Sequence, residues 1–125
     1  MESERKVGLD ELVSRLRRGK KAREQFVESH LVKGIAHQLR ALRDGQHLSQ
    51  DELAANTGMT QTAISRLETG QNKGPTVTTL KRLAAEFDVG LVVRFVPFSE
   101  MVHWVDGLST DALEVQSFER EDGKS

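Results

Sequence analysis

Residues 49–70 read Ser49-Gln-Asp-Glu-Leu-Ala-Ala-Asn-Thr-Gly58-Met-Thr60-Gln-Thr-Ala-Ile-Ser-Arg-Leu-Glu-Thr-Gly70. Ser49 followed three residues later by Glu52 is a capping box, in which each side chain satisfies a free backbone N–H of the first helical turn. Leu53, Ala54 and Thr57 then form an inward stripe, and the small Ala54 lets another helix cross closely. Gly58 is the natural stop, because the left-handed backbone that ends a helix costs glycine little. Thr60 is the next N-cap. In the second helix Ile64 and Leu67 face inward, while Gln61, Thr62, Ser65, Arg66 and Thr69 fall on the opposite face. Gly70 ends that helix. Helices this short are marginal alone, so both must pack on other elements.

Two short helices around a glycine turn, the second with a polar outward face, form the pattern of a helix-turn-helix. The second helix of such a unit enters the DNA major groove. The chain resembles the Cro/lambda-repressor-type regulators, the XRE family, from about Gly34 to Val89. The resemblance is carried by Leu42-Arg43, Leu48-Ser49-Gln50, Glu52-Leu53-Ala54, Gly58, Thr60-Gln61, Ile64-Ser65, Leu67-Glu68 and Gly70. Pro75-Thr76 and Leu83-Ala84 continue it. It implies base-reading roles for Gln61, Thr62, Ser65 and Arg66. The chemistry agrees: Gln can pair bidentately with adenine, Arg with guanine, and a Thr methyl can touch the thymine methyl. It implies phosphate contacts for Gln50, Thr60, Asn72 and Lys73, with Gln50 at a helix N-terminus whose free N–H groups favour an anion. It also implies a structural ion pair between Arg43 and Glu68. Two departures stand out. His47 occupies the place of the glycine that ends the family's first helix, and the loop Gln71 to Pro75 is slightly longer than in compact phage repressors.

The chain has 125 residues, enough for one domain with a modest core. It contains no cysteine, so disulfides and thiol chemistry are excluded. Its start is charged and lacks a signal-peptide apolar core, and no apolar run reaches membrane-spanning length. The expected location is therefore the cytoplasm, with no membrane partner. Net charge is −1, but its distribution is uneven. Residues 1–33 carry nine Lys/Arg against six Asp/Glu, residues 34–88 six against six, and residues 89–125 three against seven. The central motif thus has little electrostatic pull on DNA, where phosphate neutralisation supplies most non-specific affinity. Binding is expected to need a homodimer or the basic N-terminal segment.

Elsewhere, Leu9, Leu12, Val13 and Leu16 mark a short amphipathic helix that Gly19 breaks. From Lys20 a long helical pattern carries Ala22, Phe26, Val27, Leu31, Ile35, Leu39 and Leu42 inward, with Gly34 a candidate bend. Thr76 caps a helix with Val77, Leu80, Leu83, Ala84 and Phe87 inward. Leu91 to Val96 reads as a strand ended by Pro97, Ser99 to Leu108 as a short helix, and Ala112 to Phe118 as a second strand. The fold expected is mostly α: a lambda-repressor-like helix-turn-helix bundle with an N-terminal helical extension and a short C-terminal β element. Its parts are a basic extension (1–33), the DNA-binding domain (34–89), a dimerisation element (90–118) and a flexible tail (119–125). Leu91, Val93 and Phe95 are the dimer-interface candidates, because an exposed apolar edge needs a cover.

Several features have two readings. The basic run Arg15, Arg17, Arg18, Lys20, Lys21 and Arg23 either touches flanking phosphates or is a solvated helix face. The acidic stretch from Glu114 to Asp122 either repels non-specific DNA, docks a basic protein, or is simply solvated. Trp104, Phe95 and Phe98 belong to the core or to a dimer interface. His30, His37, His47 and His103 have no metal-ligand spacing, and no catalytic constellation or phosphate-binding glycine loop occurs. No metal, cofactor or enzymatic activity is expected. The function expected is a sequence-specific DNA-binding regulator that represses as a homodimer on a pseudo-palindromic operator. The alternative is an antitoxin that binds a protein toxin and autoregulates its own promoter. Its basis is that some toxin-neutralising members run from the helix after the motif into a strand like Leu91 to Val96.

Overall fold

Helix ends shape this chain. In the computed structural model, which describes residues 2–71, 73–107 and 115–123 and only the backbone of residues 2–7, the described residues form seven helices. They are α1 Glu2–Leu16, α2 Lys20–Gly45, α3 Gln50–Thr57, α4 Gln61–Thr69, α5 Val77–Phe87, α6 Phe98–Asp106 and α7 Phe118–Asp122. At about 1.5 Å per residue, α2 is roughly 39 Å long, the longest strut in the molecule. It runs through residue 33 without a break.

Helices α2 to α5 all terminate in one way. A backbone N–H just past the helix reaches back five residues to a carbonyl: Leu48 to Arg43 and Met59 to Ala54 at 3.0 Å, Gln71 to Arg66 at 3.2 Å, and Val89 to Ala84 at 3.0 Å. Such a closure needs a left-handed residue immediately before the donor. Gly58 and Gly70 supply it at φ 72° and 69°, whereas His47 and Asp88 adopt it at φ 58° despite their Cβ atoms. His47 therefore takes the backbone conformation of the glycine it replaces. The starts are equally local. Ser49 and Glu52 form both bonds of the capping box, at 3.0 and 2.9 Å. Thr60 and Thr76 accept from Ala63 N–H and Thr79 N–H.

These punctuated helices enclose one core. Leu39 and Leu42 of α2, Leu53 and Ala54 of α3, Ile64 and Leu67 of α4, and Leu83 and Phe87 of α5 pack together, with Leu48, Met59 and Val89 against them. Leu53 and Ile64 are 0% exposed and Phe87 is 1%. Each such side chain contributes on the order of 1.5–3 kcal/mol of transfer free energy. Gln46 Nε2 donates to the Phe87 carbonyl at 2.8 Å and ties the end of α2 to the end of α5.

A smaller packing centre lies outside this bundle. There α1 packs on both α2 and α6. Phe26 and Val102 are buried, and the Phe26 and Phe98 rings meet edge-on at 6.3 Å. His30 stacks there at 4.4 Å on Phe26, and its buried Nε2 has no hydrogen-bond partner among the described residues. Burial, then the nearby Arg15 and Lys33 charges, lower its pKa below 6.5.

The β element needs correction. No strand occurs among the described residues, and residues 89–97 carry no helix, turn or bend. A strand exists only when a partner satisfies its backbone. Of the supposed partner, residues 112–114 lie outside the described residues, Val115 to Ser117 are irregular, and Phe118 opens α7. That helix is latched to α5: the Asp88 carbonyl accepts from Phe118 N–H at 2.7 Å and its carboxylate from Glu119 N–H at 3.2 Å. Leu91, Val93 and Phe95 stand exposed instead of sheeted, and with Trp104 also exposed, a core role for Trp104 and Phe95 is excluded. Phe98 alone of the three aromatics packs inward. Val27, Leu31 and Val77 are likewise exposed: no described element covers those faces of α2 and α5. No described helix is long and apolar enough to cross a membrane.

Candidate nucleic-acid interface

Helix α4 presents two faces. Ile64, Leu67 and Glu68 are buried, while Gln61, Thr62, Arg66 and Thr69 are exposed and Ser65 is half-buried. The burial of Glu68 is the unusual feature, since a carboxylate leaves water only when it is paired and hydrogen-bonded. Its two oxygens accept from Arg43 Nε at 2.6 Å and Arg43 Nη2 at 2.9 Å, a bidentate fork. The Arg43 and Glu68 side chains are 14% and 1% exposed. The hydrogen bond to Glu68 raises the Arg43 pKa, so the guanidinium stays charged. Arg43 Nη1 also donates to the Leu48 carbonyl at 2.8 Å, which binds the α2–α3 turn into the same cluster.

From this ion pair a polar chain runs outward. Gln50 Nε2 donates to Glu68 Oε1 at 3.2 Å, and Gln50 Oε1 accepts from Gln61 Nε2 at 2.7 Å. The charges set the polarity of every link. Arg43 is donor-only and the Glu68 carboxylate acceptor-only, so Gln50 must turn its amide nitrogen toward Glu68. Its oxygen is then left for Gln61, whose amide orientation follows. Gln61 keeps Oε1 and one N–H for an outside group, an acceptor and a donor side by side. Adenine offers the complementary pair in the major groove, N6–H as donor and N7 as acceptor.

The other candidates differ in how they are held. Thr60 Oγ1 accepts the capping bond from Ala63 N–H at 3.0 Å, which leaves its hydroxyl proton for an external acceptor. Thr69 turns its hydroxyl back onto the Ser65 carbonyl at 3.1 Å. Neither Arg66 nor Lys73 enters a salt bridge among the described residues, and both are exposed. Lys73 faces a groove it shares with Lys20, Arg23, Glu24 and Glu28. Asn72 lies outside the described residues. Val32 of α2 lies close to Gly70 and Gly74, so the middle of α2 backs the loop that follows α4.

Sequence reasoning misses one member of this cluster and the bridging role of another. Arg40 donates to the Glu68 carbonyl at 3.3 Å, and its Nε lies 4.0 Å from the carboxylate. The available signal is its place one turn before Arg43, which puts both guanidinium groups on one helix face. Gln50 is legible as a helix N-terminal residue, but its bridging role between Gln61 and Glu68 requires α3 and α4 to be packed.

Residues 39–93 match the family model described as helix-turn-helix. Over 57 residues the chain is 39% identical to an uncharacterized HTH-type transcriptional regulator of Coxiella burnetii, covering 46% of this chain and 26% of that protein. It is 41% identical over 59 residues to the uncharacterized HTH-type transcriptional regulator y4dL of Sinorhizobium fredii, covering 47% and 30% respectively. It is 38% identical over 53 residues to the HTH-type transcriptional repressor RghR of Bacillus subtilis, covering 42% and 39%. The chain thus spans well under two-thirds of the length of these relatives. No solved structure matches it. Residues 39–93 are thus a helix-turn-helix of the Cro/lambda-repressor, or XRE, type.

Proposed function

We propose that this chain is a DNA-binding transcriptional regulator that reads a specific operator through α4 and represses by occupying it. The observation that carries the reading is the polarised chain from Arg43 through Glu68 and Gln50 to Gln61. A solvated polar face needs no such preorganisation, whereas a base reader gains from it because less ordering is left to binding. Gln61 would take adenine, Arg66 a guanine, and Thr62 and Ser65 the neighbouring base edges. Gln50, Thr60, Asn72 and Lys73 would lie along the phosphates.

The neutral charge balance of residues 34–88 argues for a homodimer, because two weak half-sites on one duplex combine into a strong one. Leu91, Val93 and Phe95 are the contact we propose, being apolar and exposed in the single chain. A two-fold dimer would match a pseudo-palindromic operator with half-sites about 34 Å apart. The antitoxin alternative rests on a strand after α5 that the single chain does not form, and the regulator reading requires no toxin.

Selection from random DNA with the purified protein tests the function. The expected result is an enriched palindrome with an adenine in each half-site. Absence of enrichment at low salt would reject it. Within the selected site, Arg66→Ala should lose ~1–3 kcal/mol of discrimination at one base position, measured on operator variants. An unchanged preference at every position would remove Arg66 from base reading.

A further inference from the structure

Two apolar features of the surface lack a cover among the described residues. The first is an open groove of about 660 Å³ between the N-terminal half of α2 and the start of α6. Val27, Leu31, Val32 and Phe98 line it, and Val27 and Leu31 are exposed. The second is the segment 91–96, where Leu91, Val92, Val93 and Phe95 are exposed, Phe95 completely. Among the described residues, none of the backbone hydrogen bonds formed outside helices reaches residues 90–96.

We propose that in the homodimer each subunit's groove receives residues 91–96 of the other subunit, with Phe95 on the apolar floor. This rests on the dimer proposed above and specifies where its contact segment goes. Three observations favour this occupant. Phe98 lines the groove and lies three residues beyond Phe95, across Pro97, so groove and segment begin at the same place on the molecule. A two-fold axis passing near Phe98 would make both contacts at once, each patch meeting its complement on the partner. Own-chain filling is not what the structure shows, because Phe95 points fully into solvent.

Charge gives the second argument. Glu24 and Glu28 stand one turn apart on the groove rim, beside Lys20, Arg23 and Lys73. A rim of both signs suits a polypeptide partner. Arg94 is the only charge in residues 91–96. It is bonded to Glu100 of its own chain in an exposed pair, which exchanges readily for another carboxylate. Area gives the third. The six exposed side chains of groove and segment present on the order of 600 Å² per subunit, against about 800 Å² per partner in a standard-size interface. Trp104, exposed on α6, supplies more.

The chain contains no cysteine, so single introduced thiols are clean probes. Leu31→Cys and Phe95→Cys variants are oxidised mildly, alone and mixed. A disulfide needs Cα atoms within about 4.4–6.8 Å, so coupling reports contact. The expected result is a covalent dimer from the mixture and only background coupling of either variant alone. In sedimentation, Leu31→Glu should weaken dimerisation at least tenfold, as should Phe95→Glu, with helix content checked by circular dichroism. Self-coupling of the Phe95→Cys variant without mixed coupling would overturn the groove while leaving the dimer, because the segment would then pair with itself. A wild-type chain that sediments as a monomer while bound to operator would overturn the dimer itself, and the groove proposal with it.

Discussion

Two ion pairs of nearly equal length mark the two halves of this molecule. Arg43 and Glu68 meet at 2.6 Å inside the helix-turn-helix, with side chains 14% and 1% exposed. Arg94 and Glu100 meet at 2.7 Å beyond it, with side chains 66% and 48% exposed. The first pair has exchanged water for a fork of hydrogen bonds and holds three helices and a turn. The second lies in solvent, where attraction is screened and the ordering of two side chains offsets it. The contrast extends to the surroundings. The helix-turn-helix caps its helix starts, closes their ends and buries its apolar side chains. Around it, α2 begins at Gly19 without a side-chain cap. The groove and segment 91–96 leave large apolar side chains in water, and His30 keeps an unsatisfied nitrogen. The first region is finished within one chain, whereas the second leaves apolar side chains uncovered by any described residue.

The comparison breaks most sharply at the carboxylates. Glu68→Ala strands Arg43 in a buried site and should cost ~3–5 kcal/mol in denaturant unfolding. Glu100→Ala should change stability by no more than ~0.5 kcal/mol, the scale of an exposed pair. Comparable losses from the two would show that burial does not separate the regions.

A gap only slightly smaller is expected between leucines. Leu53→Ala removes a side chain from the centre of the core and should cost ~2–5 kcal/mol. Leu31→Ala should fall within about 0.5 kcal/mol for the monomer, since its side chain is half in water. Thermal melts at low concentration measure both. If the dimer forms through the groove, the Leu31→Ala penalty should grow with protein concentration.

Left-handed turns give a subtler test. His47→Gly relieves a Cβ held at φ 58° and should be neutral or stabilising by up to ~1 kcal/mol. His47→Val, a β-branched residue in the same conformation, should destabilise by more than that gain. Equal stability of both variants would mean that the turn opens under substitution.

The smallest effect concerns pH. His30 has its folded-state pKa below the unfolded value of 6.5. Between those values the unfolded chain binds more protons, so stability rises with pH. Its contribution is complete above about pH 6.5 and is lost as pH falls through the folded-state pKa. In His30→Leu this slope should vanish. A slope that survives the substitution would place its origin elsewhere, among the acidic groups.

Most of the helix-turn-helix was legible in the residues. Ser49 with Glu52, Thr60, Thr76, Gly58 and Gly70 act within three to five residues of themselves, so their effect on the backbone is local. The 3.6-residue stripe through Leu39 and Leu42 meets a core, and the helical pattern expected from Lys20 through Leu42 falls within α2. The stripe was a poor guide at Val27 and Leu31. Periodicity reports which side chains could be covered, and coverage depends on whether another element arrives.

The sequence by itself determined helices α2 to α5, their ends and the outward polar face of α4, because each follows from contacts a few residues apart. Tertiary structure alone decided the rest. Gln50 joins Gln61 and Glu68 across 11 and 18 residues, and Asp88 holds α7 across 31. Val102 is buried through the docking of α6 with α1. The strand expected at Leu91 to Val96 is absent for the same reason. A helix satisfies its own backbone, but a strand must be given a partner, and among the described residues these have none.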